Sequence, residues 1–175
     1  MPRPAPPKTP LAVDASFKWV VTPVGGMISG VVYTDGSALD GPYPETMRCG
    51  WAFVTRDPDT LQVTAAAKGV TPPWIRDIGG AESWAILQAA QVAMPGACQY
   101  KADCKPCVDT VHGGRAKATS AKKTHARVYG MMLSPLDDTP VSDVIWRPAH
   151  NEETHIGVRR CGDGELLTAH DVAGM

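Results

Sequence analysis

"VVYTDGSALDG" occupies residues 31–41. Its opening is apolar and β-branched, the composition of a strand made for burial. The run ends on Asp35, and Gly36 with Ser37 is expected to turn the chain. A buried strand that finishes on a carboxylate admits two readings. Either the aspartate serves the turn, or the strand holds a negative charge up to a metal ion.

Upstream, "MISGVVYTD" (27–35) reads as one strand. Downstream, "CGWAFVTRD" (49–57) and "LQVTAAAKG" (61–69) read as two more, closing an antiparallel meander. "AESWAILQAAQVAM" (81–94) is the clearest helix, stopped by Pro95-Gly96. "CQYKAD" (98–103) is a short strand. "KPCVDTVHGG" (105–114) is a short helix with Pro106 in its first turn. "KKTHARVYGMML" (122–133) is a further helix, and "VSDVIWRPAH" (141–150) a strand. Hairpins followed by βαβ-type crossovers make a mixed α/β sheet with helices packed on it. Residues 1–26 are set apart as a Pro-rich arm, because "PRPAPPKTP" suits neither a helix nor a central strand. Within that arm "FKWVVTPV" is either a short strand or a remnant of something upstream. Residues 27–175 form the folded domain.

The totals agree with one globular domain: 175 residues, 43% hydrophobic and 20% charged. A net charge of -1 offers no global basic field, so any nucleic-acid partner must be met by a local patch. Five cysteines form no evenly spaced framework, which points to a reduced, intracellular setting. The N-terminus carries no signal-peptide pattern, and no run approaches the roughly 18 apolar residues of a membrane span. No membrane partner is expected.

Three acids stand out by position. Asp35 and Asp103 each end a strand. Glu82 falls in line with Ile86, Ala89 and Ala93, the apolar stripe of its helix, and so faces the sheet. Each has an ordinary reading: a turn former, a partner for the helix dipole, a helix cap. Their arrangement carries more weight than any one of them. Converging carboxylates repel one another and call for a hard divalent cation with oxygen ligands. Acids holding two such ions about 4 Å apart are an apparatus for phosphodiester hydrolysis.

The ordered set "YTDGS", meander, "GAESWAILQAAQVA", "KADCKPCVDTV" and "VIWRPAH" resembles a type 1 ribonuclease H domain over about residues 27–150. That family shows TDGS on its first strand, an E-x-x-A-x-x-x-A helix, an acid-ended strand before a short helix, and a W-x-x-x-H strand exit. The resemblance implies a mixed five-stranded sheet, its first three strands antiparallel, flanked by helices. It implies hydrolysis of the RNA strand of RNA–DNA hybrids with two Mg²⁺ or Mn²⁺ ions. Asp35, Glu82 and Asp103 would be metal ligands, and His150 would assist proton movement or product release. The family's fourth carboxylate, an aspartate opening the last helix, has no match before Met175. If Gly174 stands at the glycine of that motif, the aspartate falls beyond the chain, which would then lack its last helix; Asp171 is the stand-in. The Pro-rich start and abrupt end suggest a piece of a larger polypeptide, such as a retroelement product; a monomer is the other expectation. Two other readings stay open: a binding or scaffold module with the same fold, and a resolvase-like or integrase-like nuclease.

The best phosphate-binding segment is "GGRAKATSAKKTHAR" (113–127), which carries Arg115, Lys117, Lys122, Lys123 and Arg127 with no acid. Its alternative is a solvated helix start. Ribose contacts are expected from the Gly36–Ser37 turn and around Ser83. Cys104 and Cys107 form a lone C-x-x-C with only His112 nearby as a further ligand, a weak zinc signal, and are expected to face the core. Trp51, Trp84 and Trp146 are expected in the core.

Overall fold

A computed structural model describes residues 16–39, 48–133, 135–136 and 143–147. The meander is β2 (Ile28–Leu39), β3 (Arg48–Arg56) and β4 (Val63–Val70), antiparallel throughout. The expected turn at Gly36–Ser37 does not occur. The ladder runs on through Ser37–Gly50 to Leu39–Arg48. At Gly50 a Cβ would stand 2.8 Å from Ser37 Oγ, so glycine leaves room for that hydroxyl beside the ladder.

Two further strands join on the other side of β2. β5 (Ala93–Ala102) runs parallel to β2, and β6 (Val144–Trp146) parallel to β5. Among the described residues the sheet has six strands, not five. The addition is β1 (Lys18–Val21), antiparallel to β4 and drawn from the stretch set apart as an arm. Aromatic contacts account for it. Phe17 lies 5.4 Å from the Trp51 ring, and Trp19 meets Phe53 edge-on at 6.0 Å. The order is β1-β4-β3-β2-β5-β6.

The helices are α1 (Ile78–Gln91), α2 (Lys105–His112), α3 (Arg115–Ala118) and α4 (Ala126–Met132). Helix α1 starts three residues ahead of expectation because Asp77 caps it, its carboxylate accepting the Gly80 N–H at 2.7 Å. It also ends earlier. Val92 O accepts the Ile28 N–H at 2.9 Å and Ala93 pairs with Ile28, so its expected last turn belongs to β5. Every α1 residue from Gly80 to Ala90 is buried, with the sheet on one side and α2 and α4 on the other. Helix α4 starts late. Lys123 N–H donates to Ser120 O and Ala126 N–H to Lys123 O, so Lys122 and Lys123 lie in tight turns. Among the described residues no helix is long and apolar enough to cross a membrane.

The larger core lies between α1 and the sheet face of Val32, Trp51 and Phe53, and includes Trp84, Ile86, Leu87 and Tyr100. A smaller one, with Tyr33, Ala52 and Val54, lies on the opposite face. Trp51 and Trp84 are buried as expected, whereas Trp146 is 40% exposed on the last strand.

Candidate metal centre

The site forms where parallel pairing stops. The last β2–β5 pair is Thr34–Ala102, so Asp35 and Asp103 are the next residue of each strand. Parallel register sets them side by side at the strands' C-terminal ends. Helix α1 brings the third acid. It comes in close because residue 36 is glycine: a Cβ there would stand 2.5 Å from the Glu82 nitrogen and 2.9 Å from Ala81 Cβ. The Gly36 N–H in turn donates to the Glu82 carboxylate.

Carboxylate oxygens of Asp35, Glu82 and Asp103 all lie within 4.8 Å of one another. Asp35 and Glu82 are 8% and 5% exposed, and Asp103 is half-buried. Burial pushes the Glu82 carboxyl up to about 10, aided by the charges of Asp103 and then Asp35, against the Gly36 N–H. Glu82 Oε2 is buried with no hydrogen-bond partner among the described residues. Three close oxygen donors, one of them orphaned and neutral for want of a counter-charge, fit a hard divalent cation such as Mg²⁺ or Mn²⁺.

A supporting residue escaped the sequence reading. Trp146, expected in the core, donates its Nε1–H to the Asp103 carbonyl at 3.1 Å. The Arg147 N–H donates to Ala102 O at 2.9 Å, so β6 clamps the end of β5 from both sides of Asp103. The available signal was the indole N–H itself, which needs an acceptor wherever the ring packs.

The other expected site residues divide. Gly36 and Ser37 lie within β2, and Gly36 has the packing task just described. Ser83 does not face a ribose: it is fully buried, its hydroxyl in contact with Gly79 O at 3.0 Å and Tyr129 Oη at 3.0 Å. Arg115, Lys117, Lys122, Lys123 and Arg127 are exposed, on the segment from α3 into α4. Arg127 stacks on Trp74, its guanidinium carbon 4.2 Å from the ring centroid. His125 Nε2 pairs with the capping Asp77 at 2.8 Å, which anchors the basic segment to the start of α1. Cys104 and Cys107 are joined in a disulfide, with Cys107 buried and Cys104 half-buried. His112 is engaged elsewhere, its Nε2 2.6 Å from Val144 O. His150 and Asp171 lie outside the described residues.

No protein-family model matches the sequence, and no curated protein does. Solved structures do match. The N-terminal RNase H domain of Rv2228c from Mycobacterium tuberculosis, solved as a fusion with maltose-binding protein, is 16% identical at a TM-score of 0.50, covering 69% of this chain and 84% of that one. LC9-RNase H1, described as a type 1 RNase H with the type 2 active-site motif, is 13% identical at a TM-score of 0.52, covering 74% of this chain and 67% of that one. The fold is that of a ribonuclease H-like domain.

Proposed function

We propose that this domain hydrolyses the RNA strand of RNA–DNA hybrids endonucleolytically, with Mg²⁺ or Mn²⁺. The observation that carries the reading is the trio Asp35, Glu82 and Asp103, with oxygens within 4.8 Å at the ends of two parallel strands. Divalent cations bound there would activate a water and stabilise the leaving oxygen.

The residues of the chain have separable tasks in this scheme. Asp35, Glu82 and Asp103 hold the cations. Glu82 gives up its proton when the counter-charge arrives. The Gly36 N–H keeps one Glu82 oxygen oriented, and Trp146 fixes the backbone of Asp103. The basic segment takes backbone phosphates, which sets position and not sequence. His150 serves proton movement or product release, and Asp171 the fourth carboxylate.

The test is cleavage of an end-labelled RNA–DNA hybrid in Mg²⁺ and in Mn²⁺, beside Asp35→Asn. Cleavage of the RNA strand alone, lost in the variant, supports the proposal. A folded protein that binds the hybrid without cutting it in either metal overturns it in favour of a binding module.

A further inference from the structure

The scheme above makes no use of Cys104 and Cys107, yet this pair touches the site from two directions. Cys104 directly follows Asp103 and is the residue before α2. Cys107 lies in the first turn of α2, its Cα 5.4 Å from that of Cys104, within the span a disulfide bridges. Its sulfur lies 3.4 Å from Ser83 Oγ and 3.6 Å from Gly79 O. Ser83 directly follows Glu82. One sulfur pair is therefore a single residue away from two of the three carboxylates. It is also reachable. Cys104 and Cys107 line a cavity of about 220 Å³ together with Pro106, Thr110, Lys123 and His125.

We propose that Cys104 and Cys107 form a reversible dithiol–disulfide site whose state sets the cation affinity of the acid cluster; the second half rests on the metal reading above. An external dithiol reduces the pair by exchange. The Cys104–Cys107 Sγ–Sγ bond breaks, two electrons and two protons pass to the cysteine sulfurs, and the reductant leaves as its own disulfide. The change is local and directional. While the disulfide holds, residue 104 is tied to the first turn of α2, and Asp103 is fixed between that tie and Trp146. After reduction the tie is gone, and the Cys107 S–H is free to donate to Gly79 O. Residue 104 then keeps only its backbone bonds to α2, its carbonyl accepting the Cys107 and Val108 N–H groups at 3.1 and 3.2 Å, and Asp103 keeps the support of β6. Reduction is expected to weaken Mn²⁺ binding about tenfold, the low end of what support of a metal ligand is worth.

The experiment uses the full chain, equilibrated across mixtures of reduced and oxidised dithiothreitol. Alkylation followed by mass spectrometry counts label at each cysteine. Electron paramagnetic resonance of free Mn²⁺ measures affinity in the same samples. Mn²⁺ is chosen because it prefers carboxylate to thiolate ligands. Cys49 and Cys98, buried and free, are the internal reference. Cys104→Ser cannot form the bond, and serine is a favoured residue before a helix. Label should appear on Cys104 and Cys107 together in one transition, the Mn²⁺ Kd should rise about tenfold across it, and Cys104→Ser should hold the reduced value throughout. Full alkylation of both cysteines at the oxidising end overturns the redox site. Equal Kd in both states overturns the coupling. Loss of Mn²⁺ binding in both states, with the label transition intact, refutes the metal reading and the coupling but leaves the redox site standing.

Discussion

Replacing Glu82 with glutamine tests the electrostatics of the cluster without any substrate. In the metal-free protein Glu82 titrates at about 10, against an ordinary value of 4.5. Between those two values the folded chain holds a proton that the unfolded chain has released. Stability is therefore fully present below pH 4.5 and falls as pH rises, by about 1.4 kcal/mol per unit, until the folded carboxyl also ionises. At pH 8 the ceiling on this loss is about 5 kcal/mol; relaxation and water entry should leave about 1–3 kcal/mol. Glu82→Gln removes the titration, keeps the shape, and offers an amide N–H₂ to the flanking carboxylates. At pH 8 the metal-free variant should melt about 3–10 °C above wild type, and its stability should be nearly flat from pH 5 to pH 9. Saturating Mn²⁺ should reverse the order. A cation at about 1,000 times its Kd adds about 4.1 kcal/mol to the wild type and far less to the variant. Thermal melts across pH, with and without Mn²⁺, decide the matter. A variant less stable than wild type at pH 8, with an unchanged pH slope, would refute the reasoning.

Other perturbations probe the supports. Gly36→Ala drives a methyl into the Glu82 backbone, which would stand 2.5 Å away, and should cost about 3 kcal/mol in urea denaturation; a near-neutral result would mean that α1 does not sit so close. Trp146→Phe keeps a ring but loses the N–H to Asp103 O, and should weaken Mn²⁺ binding severalfold in calorimetry while costing only about 1 kcal/mol of stability. The double change Lys122→Glu and Lys123→Glu should weaken hybrid binding and lower the slope of log affinity against log salt by about two, read by fluorescence anisotropy, with the melting temperature unmoved.

Much of this architecture was written in local pattern, and the misses share a cause. The meander, the body of the central helix, and the acids at the ends of two strands were readable from period and punctuation, whereas both ends of that helix were not: Asp77 caps it early, and Pro95-Gly96 lies within β5. Strand β1 was not, because "FKWVV" is short and follows a Pro-rich run; its strand character comes from Phe17 and Trp19 meeting Trp51 and Phe53, residues more than thirty positions away. The supposed turn at Gly36–Ser37 failed likewise. Glycine there answers to the approach of α1, a tertiary demand, and not to a change of chain direction. Trp146 was assigned to the core by residue type, whereas its hydrogen bond to Asp103 depends on β6 lying beside β5. The cysteines read as two core thiols because spacing alone leaves open whether a helical turn brings them into bonding distance. Position in the pattern singled out the three acids, and strand register explains why they meet.

That register also explains why the acids are hard to separate from the fold. Strand β2 is the member of the sheet with an antiparallel neighbour on one side and a parallel one on the other. Its partner β5 stops pairing at Ala102 while β2 continues with β3, so beyond Thr34 one side of β2 is no longer paired with β5. Gly36 then serves twice: its missing side chain admits α1, and its N–H takes the Glu82 carboxylate that α1 delivers. Once the helix is seated there, Glu82 cannot leave the two aspartates without unpacking a helix buried from Gly80 to Ala90. The repulsion is thus fixed by the hydrophobic core, and only a proton or a cation can relieve it. A proton on Glu82 does so up to about pH 10, and a divalent cation can do so at neutral pH while leaving all three carboxylates ionised. Selection for stability alone would favour a neutral side chain at position 82. A glutamate held in that place, at a cost the core must offset, is the residue expected of a site built to bind metal.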